Sequence, residues 1–197
     1  MKYGFVFECW IDGPDYKVIK YLVNKILPDC VFRHATLGDK AKLLEECADN
    51  VELFLRSGCE KVFIVWDLIP KFDECDCIVH ERNIIRQKLI DRDITLDNVE
   101  FIGIVHELES WLIADKRAVE VYLSTRERAV RLNAVRYPDR DANPKGRLKR
   151  IFLEHRRYEY NDLDHAYRII QNVDNVRNLR RSRTFSRFYL KLTGQHL

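Results

Sequence analysis

No apolar run in the chain approaches the roughly 20 residues that cross a bilayer, so neither a membrane span nor a membrane partner is expected. The N-terminal MKYGFVFECW lacks the long apolar core and small-residue cleavage site of a secretory leader and reads as a first strand. The expected location is therefore cytoplasmic. A disulfide framework is missing as well. The six cysteines are scattered, and Cys9, Cys30, Cys47 and Cys59 lie in or beside apolar segments, where a reduced thiol behaves as a small hydrophobe. The cluster Cys75-Asp76-Cys77, followed by His80, has no second pair at the spacing that a structural zinc requires. Internal repeats, low-complexity tracts and a linker between domains are also absent. Net charge is small, at +3, but it is unevenly spread: the carboxyl-terminal third is basic and the middle mixed.

What remains is an ordinary globular composition, 46% hydrophobic and 33% charged over 197 residues. That length suits one well-buried α/β domain and is small for two. The reading is a single domain over 1–197, with an α/β core at 1–115 and a helical elaboration at 116–197.

Strand and helix patterns alternate through the first half. Lys2–Phe7 is short, apolar and aromatic. The turn cluster Asp12-Gly13-Pro14-Asp15 precedes a helix with Val18, Ile19, Leu22, Val23 and Ile26 on one face. Cys30–Ala35 predicts a second strand, Lys40–Arg56 a long amphipathic helix ended by Ser57-Gly58, and Val62–Trp66 a fully apolar third strand. A helix from Ile78 to about Asp91 turns Ile84, Ile85, Leu89 and Ile90 inward, and Val99–Val105 supplies the fourth strand. This rhythm means parallel strands joined by crossovers, an α/β fold with about four strands flanked by helices. Beyond Asp115 the pattern is helices and loops. Pro144 starts a helix over Lys145–Leu153, Asp164 caps one running to about Asn178, and Thr184 or Ser182 caps the last, through Leu192.

Three strands run into an acid: Glu8 after the first, Asp67 after the third and Glu107 after the fourth, with Glu109 two residues on. Parallel strands would gather them at one sheet edge, where ligands of open α/β sheets bind. Crowded carboxylates need a cation or a shared proton. Oxygen-only donors select Mg²⁺ or Mn²⁺, which can activate water and stabilise charge on a phosphoryl oxygen. Each acid alone can equally do no more than end its strand or favour the next helix N-terminus.

Glu8-Cys9-Trp10-Ile11-Asp12 after a strand resembles the Toprim signature, and Val62–Asp67 resembles its second element, a strand running into an aspartate. Glu107-Leu108-Glu109-Ser110-Trp111-Leu112-Ile113-Ala114-Asp115 is similar to the E-x-E-x-W-L-x-A-D element of small prokaryotic Toprim-like proteins. Those proteins are related to the overcoming-lysogenization-defect nucleases and include the nuclease effector of the PARIS anti-phage system. Asn143-Pro144-Lys145 and Ser182–Phe188 look like that group's carboxyl-terminal elements. The resemblance implies a Toprim-like (Rossmann-like) fold and a Mg²⁺- or Mn²⁺-dependent endonuclease acting on RNA such as tRNA, or on DNA, in antiviral defence. It also implies an ATPase partner of the AAA class; self-association into a homo-oligomer is left open. Glu8 would be the catalytic glutamate, in acid/base chemistry or in holding the metal, and Asp67 a metal ligand. One of Glu107 and Glu109 would complete the site. Two departures stand out: Cys9 replaces the usual glycine, and Asp67-Leu68-Ile69 lacks the second acid of Asp-x-Asp. They keep a second reading open, a catalytically weakened Toprim-like subunit that binds or regulates within an ATPase-containing complex.

Nucleic-acid contacts are expected from Lys145 and Arg147 after Pro144, and from Arg180, Arg183 and Arg187, which share a face if one helix runs through them. They would grip phosphates and make binding salt-dependent; the alternative is a solvated basic face. His106 is either a proton shuttle beside Glu107 or a strand-end histidine with a local hydrogen bond. Trp66 and Trp111 are core, and Trp10 suits either packing or base stacking.

Overall fold

A computed structural model of the protein describes residues 1–68, 78–156 and 158–197. Ile69 and the Cys75-Asp76-Cys77 cluster fall outside the described residues, and with them the question of the second acid and of zinc. The chain divides into two compact units, Met1–Ile104 and Val105–Leu197. The element that begins at Glu107 falls in the second of these units.

The first unit is a four-stranded, wholly parallel sheet in the order β2-β1-β3-β4. The strands are β1 (Lys2–Phe7), β2 (Val31–Thr36), β3 (Lys61–Asp67) and β4 (Val99–Ile104). Between them run α1 (Pro14–Ile26), α2 (Lys40–Arg56) and α3 (Ile78–Ile90). This is the expected α/β, Rossmann-like architecture. The two central strands are apolar on both faces because both are covered: Phe5, Val6, Phe7 and Val62 through Ile64 are fully buried. On one face Phe5 stacks on Phe32 and Phe63, with ring centroids 4.4 and 4.8 Å apart. On the other, Val6, Ile64 and Trp66 pack with Leu43, Cys47 and Val51 of α2 and with Ile85 and Leu89 of α3. Gly4 is glycine because α2 lies close: a Cβ there would come within 2.7 Å of the Phe54 ring.

The helix ends follow their local chemistry. Pro14 sits in the first turn of α1, and the Asp39 carboxylate accepts the Lys42 N–H at the start of α2, 2.8 Å away. Two boundaries differ from expectation. β4 ends at Ile104, so Glu107 lies three residues beyond the strand, after a turn in which His106 takes φ +64°. Ile90, expected inward, is 48% exposed, since α3 ends there. The four cysteines among the described residues are free, three of them buried.

The second unit is helical: α4 (Glu109–Ala114), α5 (Lys116–Leu123), α6 (Pro144–Arg156), α7 (Asp162–Ile170) and α8 (Arg183–Thr193), with 3-10 turns at Pro138–Arg140 and Val176–Arg181. Trp111 is its centre. It is fully buried, its ring lies 5.3 Å from both Phe185 and Phe188, and its indole N–H donates to Thr184 Oγ1 at 2.8 Å. Asn161, not Asp164, caps α7, which stops at Ile170 instead of reaching Asn178. Ser182 caps α8 by accepting the Phe185 N–H, and its extended backbone (ψ 121°) separates α8 from the preceding 3-10 turn. Arg180 is thereby off the helix of Arg183 and Arg187, and the single basic face expected of the three is broken. No helix among the described residues is long and apolar enough to cross a membrane.

Candidate functional site

β1 leads to β2 on one side of the sheet and β3 leads to β4 on the other, so the strand order reverses between β1 and β3. The crevice beyond the carboxyl ends of the strands at such a reversal is where open α/β sheets bind ligands. Glu8 follows β1 and Asp67 ends β3, which places an acid on each side of that point. They are joined directly. The Glu8 N–H donates to Val65 O at 3.0 Å, and the Asp67 N–H donates to Glu8 Oε2 at 3.0 Å. A small cavity of about 70 Å³ opens there, lined by Glu8, Cys9, Asp15, Gly38, Trp66 and Asp67.

The electrostatics of this crevice are unusual. Burial pushes the Glu8 carboxyl up to about 7. The Lys40 ammonium and the Asp67 N–H pull against that shift, and the charges of Glu81 and Asp39 add to it. The Cys9 thiol is pushed well above its ordinary range by burial and then by the charges of Asp15 and Asp67. It is a neutral wall and not a nucleophile at physiological pH. Behind the two acids runs a buried polar chain. Glu81, with no exposed surface, accepts the Trp66 indole N–H at 2.9 Å and the Lys40 ammonium at 3.2 Å, and Lys40 also donates to Leu68 O at 3.1 Å.

Asp15, Lys40 and Glu81 were missed by sequence reasoning. Asp15 was absorbed in a turn cluster and Lys40 in the first turn of an amphipathic helix. Glu81 did leave a signal: it precedes Ile85 by four residues and so shares the inward face of α3, where a carboxylate needs a partner.

The other expected acids lie in the second unit and are held there by its own groups. Glu107 Oε2 accepts the Lys145 N–H at 3.2 Å, in the first turn of α6. Glu109 is buried and accepts the Tyr160 hydroxyl at 3.1 Å. The Lys145 ammonium is bonded to Asp162 at 2.7 Å. Burial opposes its charge, but that bond and the charges of Glu109, Asp162 and Glu107 outweigh it and hold its pKa above the ordinary lysine value. Arg147 is paired with Asp141, whose carboxyl is held low by the same contact despite partial burial. His106 Nδ1 is buried without a hydrogen-bond partner among the described residues, so the expected local bond is not made at that atom.

Arg180, Arg183 and Arg187 are exposed. Arg180 joins Lys116, Arg117, Arg177 and Arg181 around a cleft of about 480 Å³. The acid in its lining, Asp115, is turned to other work: it caps α5 through the Arg117 N–H at 3.1 Å and accepts from Asn178 at 3.0 Å.

The four carboxylates named for a metal therefore divide, Glu8 and Asp67 in the first unit and Glu107 and Glu109 in the second. Glu8, Asp15 and Asp67 present oxygen donors only, the chemistry that suits Mg²⁺ or Mn²⁺. Among the described residues no three His, Cys, Asp or Glu side chains are drawn together as a metal-holding group.

No curated protein and no solved structure matches the chain. A family model matches residues 66–193, which takes in Asp67 and the helical unit and leaves Glu8 outside. On that match the chain belongs to the family described as Domain of unknown function (DUF4276).

Proposed function

We propose that the protein is a metal-dependent phosphodiesterase that cleaves nucleic acid, of the Toprim type its motifs resemble. The observation that carries this reading is the Glu8–Asp67 pair at the reversal of the strand order, with Glu8 titrating near 7. A carboxyl with that pKa can both take and return a proton at neutral pH, the requirement of a general acid or base. One Glu8 oxygen accepts the Asp67 N–H, and Glu8 and Asp67 line the same cavity. Asp67 and Asp15, with Glu8, would hold Mg²⁺ or Mn²⁺, which supplies an activated water and neutralises charge on a phosphoryl oxygen. Lys40, through its partly buried bond to Leu68 O, keeps the peptide after Asp67 in place and adds positive charge behind the acids. In the second unit, the cleft of Lys116, Arg117, Arg177, Arg180 and Arg181 offers the concentrated positive charge that a phosphate backbone needs. Antiviral defence and an AAA-class ATPase partner belong to this proposal through the resemblance alone, and a cytoplasmic setting through the expectation drawn from the sequence.

One observation favours a second reading. Without a closed group of three ligands among the described residues, the domain can serve as a weakened subunit that binds or regulates within such a complex. The two readings separate on incubation with tRNA, single-stranded RNA and plasmid DNA in Mg²⁺ or Mn²⁺, beside Glu8→Gln. Cleavage that disappears in the variant is expected. Neither metal binding by calorimetry nor cleavage of any substrate, with or without a partner ATPase, would leave only the binding role.

A further inference from the structure

Trp10 stands in the turn that follows Glu8, and it is 65% exposed; its neighbour Ile11 is 76% exposed. The other two tryptophans are at most 2% exposed. An indole left in water beside an acidic crevice, with a second large apolar side chain next to it, marks a place where something covers it. Exposure here does not mean looseness. The Trp10 carbonyl accepts the Gly13 N–H at 2.9 Å, and the Gly38 N–H donates to Cys9 O at 3.1 Å, which ties the turn to the start of α2. The indole rests on Gly38, whose backbone takes φ +99° and where a Cβ would come within 3.2 Å of the ring. The Lys42 ammonium lies 5.5 Å from the ring centroid. Gly38 also lines the cavity of Glu8, Asp15 and Asp67, so the ring adjoins the wall of that cavity.

A flat π surface held in place, a cation beside it and a carboxylate pair next door form a fitting site for one class of ligand, a nucleotide that offers the face of its base. We infer that Trp10 is a stacking platform for a nucleobase next to the phosphodiester cut at Glu8 and Asp67, with Lys42 meeting a neighbouring phosphate. A duplex keeps the faces of its bases inside the stack, so the substrate is an unpaired strand or loop. This rests on the proposed hydrolysis and names its substrate class.

Because Trp66 and Trp111 are buried, quenching of intrinsic fluorescence by a ligand reads Trp10. The full-length protein is titrated with a 12-nucleotide single-stranded RNA, the matching single-stranded DNA and the corresponding duplexes, in Ca²⁺ to hold back cleavage. Cleavage of the same strands is followed separately in Mg²⁺. Single strands are expected to quench the signal and duplexes to leave it. Read by the fluorescence anisotropy of dye-labelled strands, since the variants lack the reporting indole, Trp10→Ala should bind single strands about tenfold or more weakly, within the range set by the stacking of one base. Trp10→Phe should recover most of that affinity, a rescue that loss of a merely structural residue would not show. Equal quenching by duplex and single strand, or wild-type affinity in Trp10→Ala, would overturn the inference. Quenching that requires another protein and not an oligonucleotide would overturn it too. Cleavage with no change at Trp10 would remove the stacking platform and leave hydrolysis standing. Stacking without cleavage under any metal would remove hydrolysis and keep the platform.

Discussion

Glu8 carries the proposed chemistry in one side chain, and its titration has a consequence for stability. The carboxyl is held near 7 in the folded protein, mainly by burial, against an ordinary value of 4.5. Between those two values the folded chain binds the proton that the unfolded chain has released, so stability falls as pH rises through this window. The contribution is complete below about 4.5 and gone above about 7. Glu8→Gln, which keeps the shape and removes the charge, should therefore be more stable than the wild type at pH 8, by roughly 2–3 kcal/mol. The difference should vanish by pH 4, as read from urea unfolding at the two pH values. An acid whose removal stabilises the fold is a group kept at a cost to the fold. This would not be legible from the sequence, because Glu8 is spelled like any acid after a strand. Its burial comes from what α2 and β3 bring against it.

At the scale of elements, the buried chain Lys40–Glu81–Trp66 ties α2 and α3 to the end of β3. Lys40 is buried, and breaking one side of a buried ion pair strands the other charge. Lys40→Met should thus cost about 3–5 kcal/mol in thermal or denaturant unfolding, and it should raise the Glu8 pKa further by removing the cation that lowers it. The double variant Lys40→Met with Glu81→Gln should regain much of that stability, since no charge is then left buried and the Trp66 N–H keeps an acceptor. Additive losses would show that the pair is not coupled. Elements were the most readable level of this chain. The apolar runs of β1, β3 and β4 and the spacing of Val18, Ile19, Leu22 and Val23 fix their own periodicity, and Ser182 by its hydroxyl and Pro144 by its fixed backbone mark helix starts locally. The misplacements were local. Asn161 outcompeted Asp164 as a cap because its carbonyl oxygen reaches the Leu163 N–H, and the Ser182 cap interrupted what looked like one basic helix.

For the whole molecule, net charge is a poor guide and its distribution a good one. A chain of formal charge +3 gathers five cationic side chains around one cleft of its helical unit. If that cleft holds phosphates of a single strand, the triple variant Arg177→Ala, Arg180→Ala, Arg181→Ala should weaken binding. It should also lower the slope of log affinity against log salt by about 2, near 0.7 for each phosphate that is no longer neutralised. An unchanged slope would return these arginines to solvent. The sequence by itself determined the parallel α/β sheet, the acids at the ends of β1 and β3, and Trp66 and Trp111 as core, since each follows from short-range pattern. The tertiary structure decided which acids meet. It joined Glu8 to Asp67, drew Asp15 to their cavity and Lys40 and Glu81 behind them. Within the helical unit it bonded Glu107 to Lys145 and Glu109 to Tyr160, and it split Arg180 from Arg183. Those are matters of strand order, turn position and burial, which depend on residues far apart in the chain and, the inward spacing of Glu81 apart, leave no trace in local spacing.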